Sequence, residues 1–348
     1  MLEEVYVPGV LVDTADLSRD EWLDYRRKGV GGSDAAAVLG VSPFLTARDL
    51  YYDKLNIATP EDEDSNWVQK EIGHLLEDLV AEIFHRKTGF PVYQVKKMFY
   101  HPEHPYMLAD VDYFVTLSDG RTAILEIKTT NYNAKDKWWR DGEETVPVNY
   151  EIQGRHYMCV MNIDTVYFCC LYGNNDEEVI IRRIDRDKSY EDELIALEGD
   201  FWNEYVSKKI PPPYTEDGQI VLDSLNRIVG ADTDAPAVEL ENTTVNYVKR
   251  YLELQEQKRQ ADALSKELES EMKWMQGQIV AAMGKSCTAA CNVGDTAYTI
   301  TYNPSRKTGI NKDNLLRMHE EYPELYDTYV TVTESRRFYV KKSPKKAA

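Results

Sequence analysis

Between Trp67 and His85 the apolar positions Ile72, Leu75, Leu76, Leu79, Val80 and Ile83 recur at helical spacing and form one stripe, predicting an amphipathic helix. "KTGFP" closes it with glycine, then proline. The period then shortens. Residues 92–100, 107–117 and 122–129 read as strands, and "SDG" at 118–120 predicts a tight turn joining the last two as a hairpin. A helix at 149–162, strands at 165–172 and 178–184, and a helix at 189–208 follow. Upstream, 17–28 reads as a short helix with Trp22 and Tyr25 on its inner side. The glycine-rich "GVGGSDAAAVLG" (29–40) and a second short helix to about Leu55 come next, then an acidic loop, "TPEDEDSN" (59–66). "IPPPYTEDG" marks a boundary. Beyond it, 241–284 is a long helical pattern, unbroken or bent once, and strands near 293–303 and 335–341 flank a short helix near 311–319. The expected organisation is an α/β core over residues 1–210 and a helical extension over 211–348.

Composition narrows the class only slightly. Over 348 residues, 43% apolar and 29% charged residues describe an ordinary globular chain. No apolar run reaches the roughly 20 residues that span a bilayer, and the acidic opening "MLEEVYVPGV" predicts no export signal. Five cysteines make no even-numbered framework, which fits a reducing cytoplasm. Cys287 and Cys291 can lie one turn apart on a helix, but no second pair accompanies them for a structural metal or an iron–sulfur cluster. A net charge of −19 argues against a basic nucleic-acid-coating protein. It leaves room for an enzyme that holds DNA in a locally basic groove.

The chemistry concentrates in the predicted hairpin. Glu126 and Lys128 are two apart on one strand and so share a face, and a hairpin partner can bring Asp112 beside them. Two carboxylates and an amine suit a Mg²⁺ site in which the lysine positions or helps to deprotonate a water. A bare E-x-K is more often a surface ion pair. Here Ile124, Leu125 and Ile127 flank it, and burying such charges costs several kcal/mol unless they are paired or metal-bound. Glu77 flanks the apolar stripe of its helix. "HPEHP" (101–105) reads as a rigid turn.

The ordered set "GVGGSDAAAVLG", "GHLLED", "HPEHPYMLADVDYFV", "ILEIKTT" and "YEIQGRHYMCV" resembles the YqaJ-like phage recombinases, relatives of the phage lambda exonuclease in the PD-(D/E)xK nuclease superfamily. The resemblance spans roughly residues 20–205 and implies that superfamily's fold, a central mixed sheet flanked by helices. It assigns metal binding to Asp112, Glu126 and the Ile127 main-chain carbonyl, catalysis to these carboxylates with Lys128 and Glu77, and a place near the attacked or terminal phosphate to Gln153. Relatives often carry a small residue and proline where this chain has Asp110 and Val111; Asp110 is either a further ligand candidate or points to the other face, and alternation along a regular strand puts it on the face of Asp112. His156, three residues after Gln153, either lines the cleft or is packed.

The implied activity is Mg²⁺-dependent 5′→3′ digestion of double-stranded DNA ends, Mn²⁺ substituting, which leaves 3′ single strands for phage recombination. The implied partners are a RecT-type annealing protein and further copies of the chain, with a trimeric ring known in the family. The implied setting is the cytoplasm of a bacterial host, the gene being carried by a phage or prophage. Alternatives are an endonuclease of the same superfamily on branched or single-stranded DNA, or a non-catalytic binder of DNA ends or recombination proteins. In "GVGGSDAAAVLG", Ser33 or Asp34 is expected to cap a helix beginning near Ala35. By the resemblance, Arg27 (Arg26 as the alternative) and Ser33 grip the terminal 5′-phosphate, with the glycines and the helix start favouring an anion. Outside the resemblance, the 211–348 extension reads as an exposed helical hairpin or coiled pair for oligomerisation or docking. "SRRFYVKKSPKKAA" is a basic end that touches DNA or forms a disordered tail.

Overall fold

A computed structural model describes residues 6–58, 67–228, 234–304 and 309–330. The acidic 59–66 loop, the strand near 335–341 and the basic C-terminal stretch lie outside the described residues. The chain forms two compact units, Met1–Thr233 and Asp234–Ala348.

The first unit begins β1 (Gly9–Asp13), α1 (Arg19–Arg26), β2 (Val30–Gly31), α2 (Gly32–Val38), α3 (Ala47–Lys54) and α4 (Trp67–Thr88). It continues β3 (Val92–Tyr93), β4 (Lys97–Tyr100), β5 (Met107–Asp110), β6 (Tyr113–Thr116) and β7 (Thr122–Thr129). The small hairpin β8 (Trp139–Arg140)–β9 (Glu143–Glu144), α5 (Val148–Met161), β10 (Thr165–Leu171), β11 (Val179–Asp185), α6 (Lys188–Asp200) and α7 (Gly218–Ile228) complete it. Two mixed sheets result, ordered β1-β4-β5-β2 and β11-β10-β7-β6-β3. The expected α/β class, a mixed sheet flanked by helices, is what the chain forms.

β7 lies at the centre of the five-stranded sheet, antiparallel to β6 and parallel to β10. Leu125 and Ile127 pack with Val80 and Phe84 of α4. Ile124, on the opposite face, packs with Met158 of α5 and Phe168 of β10. A strand covered on both faces reads as a nearly continuous apolar run, which is why "AILEI" carries a single charge. That charge, Glu126, is 1% exposed.

The expected strands at 92–100 and 107–117 are each broken in two. β3 and β6 belong to the five-stranded sheet, β4 and β5 to the other. Both breaks, at 94–96 and 111–112, fall where the chain passes from one sheet to the next. Alternation of apolar and polar residues continues across such a crossing, so it does not reveal the break.

Three further expectations are corrected. In α4, Val80, Ala81, Ile83 and Phe84 are buried, whereas Ile72, Leu75 and Leu79 are 46%, 71% and 50% exposed, because only the C-terminal half lies on the sheet. α2 starts at Gly32, earlier than Ala35, so Ser33 and Asp34 are inside its first turn and Gly31 is the capping position. The first unit also continues past Pro211–Pro213, since α7 returns to α3. Ser224 Oγ donates to Asp49 Oδ1 (2.7 Å), and Arg227 bonds Asp49 Oδ2 (3.0 Å).

The second unit contains α8 (Asn242–Met283), β12 (Thr288–Val293), β13 (Thr296–Thr301), α9 (Lys312–Glu321) and α10 (Pro323–Tyr329). α8 is one continuous helix of 42 residues, about 63 Å long, so of the two expected forms the extension takes the long helix and not the helical hairpin. None of its residues is buried. β12 and β13 pair through a turn at Gly294, whose φ of 60° favours glycine. Cys287 and Cys291 are exposed at and before β12, so they are not one helical turn apart.

Candidate active site

Glu126 and Lys128 project from β7 on its α5 side, and the parity of the strand, with Ile124, puts them there. Glu126 Oε1 accepts from Lys128 Nζ (2.5 Å) and from Gln153 Nε2 (2.6 Å). Lys128 also donates to Gln153 Oε1 (3.1 Å), closing a three-membered network. The ammonium lies 4.9 Å from the centre of the Tyr150 ring. Burial disfavours its charge, but Glu126 and Asp112 outweigh that and hold its pKa above the ordinary lysine value.

Asp112 occupies the break between β5 and β6. Its Oδ2 accepts from the Ile127 N–H (2.9 Å), which holds it against the open edge of β7. In a strand, one residue's N–H and C=O leave from the same edge, so the Ile127 carbonyl shares the edge that Asp112 faces. Burial, then the neighbouring Glu126 carboxylate, push Asp112 well above the usual aspartate range. Glu126 is likewise raised by burial, with Lys128 opposing. Its second oxygen, Oε2, is buried with no hydrogen-bond partner. Among the described residues no three His, Cys, Asp or Glu side chains gather into a ligand set. Two crowded carboxylates, one with an unpartnered oxygen, nevertheless fit a small divalent cation, which would relieve both their repulsion and the orphaned oxygen.

Asp112 opens onto a cleft of about 420 Å³ where the two sheets part. Gln94, Val95 and Lys96 line it from one break, Asp110 from the end of β5, Val111 from the other break, and Glu77 and His74 from α4. Glu77 Oε1 lies 3.1 Å from His74 Nδ1. Asp110 accepts from Trp22 Nε1 (2.7 Å), and burial raises its pKa. Asp110 and Asp112 were expected on one face of a regular strand. The strand ends between them, and they engage different partners.

Arg26, with Ser33, lines the opposite wall. Its Nη2 donates to Ser33 Oγ (2.7 Å) and to Asp34 Oδ1 (2.8 Å), and its guanidinium stacks 4.9 Å from the Trp22 ring. Arg27 points elsewhere, towards Asp24 (3.0 Å) and Asp53 (3.4 Å). Of the two adjacent arginines at the C-terminal end of α1, the alternative is therefore the one in the cleft. Gln153 is buried in the Glu126–Lys128 network and does not line the cleft. His156 is fully buried, bonded to Glu198 (Nδ1, 2.8 Å) and the Leu108 carbonyl (Nε2, 2.8 Å), so the packed reading holds. Two residues escaped sequence reasoning. Tyr157 lines the cleft and bonds Gln153 (3.4 Å), and its place one helical turn after Gln153 was a usable signal. Lys54, which bonds Asp34, offered none.

Residues 21–164 match the model of the YqaJ-like viral recombinase domain. Over 337 residues the chain is 31% identical to the YqaJ protein of Bacillus subtilis (strain 168), covering 95% of this chain and 97% of that one. The chain belongs to the YqaJ-like recombinase family. In this YqaJ-like protein the matched segment carries all of the residues described above from Trp22 to Tyr157. Among solved structures, an alkaline exonuclease from Laribacter hongkongensis (LHK-Exo) is 21% identical, covering 55% of this chain and 94% of that one at a TM-score of 0.45. The same exonuclease with dAMP is 22% identical with the same coverage and score. A phage-related exonuclease from Haemophilus somnus 129PT is 13% identical, covering 52% and 96%, at a TM-score of 0.39. No helix among the described residues of the YqaJ-like chain is long and apolar enough to cross a membrane.

Proposed function

We propose that this protein is a Mg²⁺-dependent 5′→3′ exonuclease that degrades one strand from double-stranded DNA ends and leaves 3′ single strands for recombination. The observation that carries this reading is the unpartnered, buried Glu126 Oε2, with Lys128 bonded to the same carboxylate, beside Asp112, which of the three is the one that lines the cleft. Asp112, Glu126 and the Ile127 carbonyl would hold the cation, with Glu77 at the cleft wall as an outer acceptor for its waters. A Mg²⁺ held there would offset the negative charge on the departing oxygen and would make water a better acid at neutral pH.

The remaining steps belong to the chain's own residues. Lys128, held protonated, is a donor for a non-bridging phosphate oxygen or for the attacking water, and its fixed ammonium opposes the charge that builds in the transition state. Gln153 keeps Lys128 and Glu126 in register from both ends of its amide. Arg26 and Ser33 receive the terminal 5′-phosphate, which sets where the chain is cut. A RecT-type annealing protein as user of the exposed strand, and assembly of several copies around the duplex, belong to the same proposal. Sedimentation with and without DNA tests the assembly.

The decisive experiment compares the protein with Asp112→Ala on 5′-labelled linear duplex bearing a 5′-phosphate or 5′-hydroxyl, and on closed circles, in Mg²⁺ or EDTA. Release of 5′ nucleotides from linear DNA only, with metal only, and not by the variant is expected. Equal cutting of closed circles would point to an endonuclease, and end binding without cutting to a non-catalytic binder.

A further inference from the structure

Lys54 is a charged side chain with almost no contact with water: 1% of it is exposed. Such burial is costly unless every donor has an acceptor. Its ammonium donates to Asp34 Oδ2 (2.6 Å) and to the main-chain carbonyl of Arg26 (3.0 Å). The other oxygen of Asp34 accepts from the Arg26 guanidinium (2.8 Å), and Oδ2 also accepts from the Gly31 N–H (2.9 Å). Lys54 therefore holds Arg26 at both ends: the backbone from which the side chain departs, and the carboxylate on which its head rests. Burial would raise the pKa of Asp34, but Arg26 and Lys54 draw it down to about 2, so Asp34 is ionised at neutral pH. Burial lowers the pKa of Lys54, and the adjoining Asp34 carboxylate opposes that and favours the ammonium.

The charges matter as much as the geometry. Arg26 and Asp34 alone would form a neutral pair, poorly suited to attract a phosphate. With Lys54 as the counter-ion of Asp34, the trio has a net charge of +1. Only Nη2 of Arg26 makes described hydrogen bonds within the protein, and a quarter of the side chain (26%) is exposed at the cleft.

We propose that Lys54 is a positioning residue that neutralises Asp34 and so leaves the charge of Arg26 available to the phosphate at a DNA end. This rests on the reading of Arg26 and Ser33 as the phosphate-gripping pair. It separates two roles for Asp34: as a support it fixes where the guanidinium sits, and as an anion it competes with the phosphate for it.

The test measures binding of 5′-phosphorylated and 5′-hydroxyl duplexes in EDTA by fluorescence anisotropy, together with kcat and KM in Mg²⁺. The variants are Lys54→Met, Lys54→Arg, Asp34→Asn and Arg26→Gln, each checked for folding by thermal melting. Lys54→Met is expected to weaken binding of the phosphorylated end about 10- to 100-fold, as one charge-assisted contact would, and to bring its preference over the hydroxyl end close to one. Lys54→Arg restores most of that preference. Asp34→Asn does not weaken phosphate binding, since it raises the net charge, but lowers kcat because the guanidinium loses its rest. Opposite effects of the Lys54 and Asp34 variants on phosphate affinity are the signature, because a merely structural role would impair both alike. Should Lys54→Met not fold, Asp34→Asn alone decides: weaker phosphate binding in that variant overturns the proposal. An Arg26→Gln variant that keeps its phosphate preference overturns the gripping pair and this inference with it. Loss in Arg26→Gln with none in Lys54→Met overturns the role of Lys54 alone.

Discussion

Replacing Asp112 by asparagine tests whether the carboxylate pair is held against its own repulsion. The amide keeps an oxygen for the Ile127 N–H and removes one of two crowded buried charges, so Glu126 and Lys128 are left as a balanced pair. The pKa of Asp112 is raised in the folded protein, so the folded state binds the proton more tightly and stability falls as pH rises above the unfolded value near 3.9. At pH 7 this penalty cannot exceed about 4 kcal/mol, the cost of keeping the group protonated over roughly three pH units at 1.36 kcal/mol each. For a unit of this size each kcal/mol moves Tm by roughly 2–4 °C. In EDTA at pH 7, Asp112→Asn is therefore expected to melt higher than the parent protein, by at most roughly 8–16 °C. The advantage should shrink to nothing near pH 4, where both forms are neutral at this position. Mg²⁺ should raise the melting temperature of the parent and not of the variant, and the variant should not digest DNA. A variant that melts lower in EDTA at pH 7, or one still stabilised by Mg²⁺, would refute the reasoning.

Two further outcomes follow from packing and charge. Gly154→Ala sets a Cβ 2.5 Å from Phe168 Cζ and 3.1 Å from Val166 Cγ1, where α5 lies on β10. Overpacking of this kind costs about 1–3 kcal/mol, partly offset by the helix propensity of alanine, so the urea midpoint should fall with an unchanged slope. Asp34, at about 2 when folded against 3.8 unperturbed, contributes about 2 kcal/mol that is fully present above pH 4 and lost as pH falls towards 2. Asp34→Asn should accordingly flatten the acid limb of a stability–pH curve over that window, read by chemical denaturation at each pH.

The elements legible in the sequence were those whose pattern is set by their own neighbours. The β6–β7 hairpin was visible because "SDG" supplies the turn and a short apolar run on each side of it supplies the strands, and α5 and β10 were visible from their length and apolar content. Alternation concealed the sheet crossings at 94–96 and 111–112, since a strand that changes partners keeps its period. Glu126 and Lys128 were marked by charge inside an apolar run. The choice between Arg26 and Arg27 was not, because adjacent residues on a helix differ by about 100° and only the tertiary position of α1 decides which one meets the cleft. Lys54 was illegible for a related reason. It sits at the end of α3, 20 residues from the aspartate it serves, and nothing local distinguishes it from a surface lysine.

The placement of Asp112 in a two-residue link also governs where the chain can change length. Asp110 is held in register with Met98 of one sheet, and Tyr113 with Leu125 of the other, so Val111 and Asp112 span a fixed gap. One inserted residue there has no free strand end to slide into and must bulge at the carboxylate itself. The turn at the far end of the same hairpin is open, and Gly120, at φ +85°, has nothing within 4 Å of where a Cβ would stand. A few residues added at 118–120 would lengthen a surface loop, whereas a single residue added at 111–112 would displace Asp112. The link works as a ruler, and its length is as much a part of the site as its side chain.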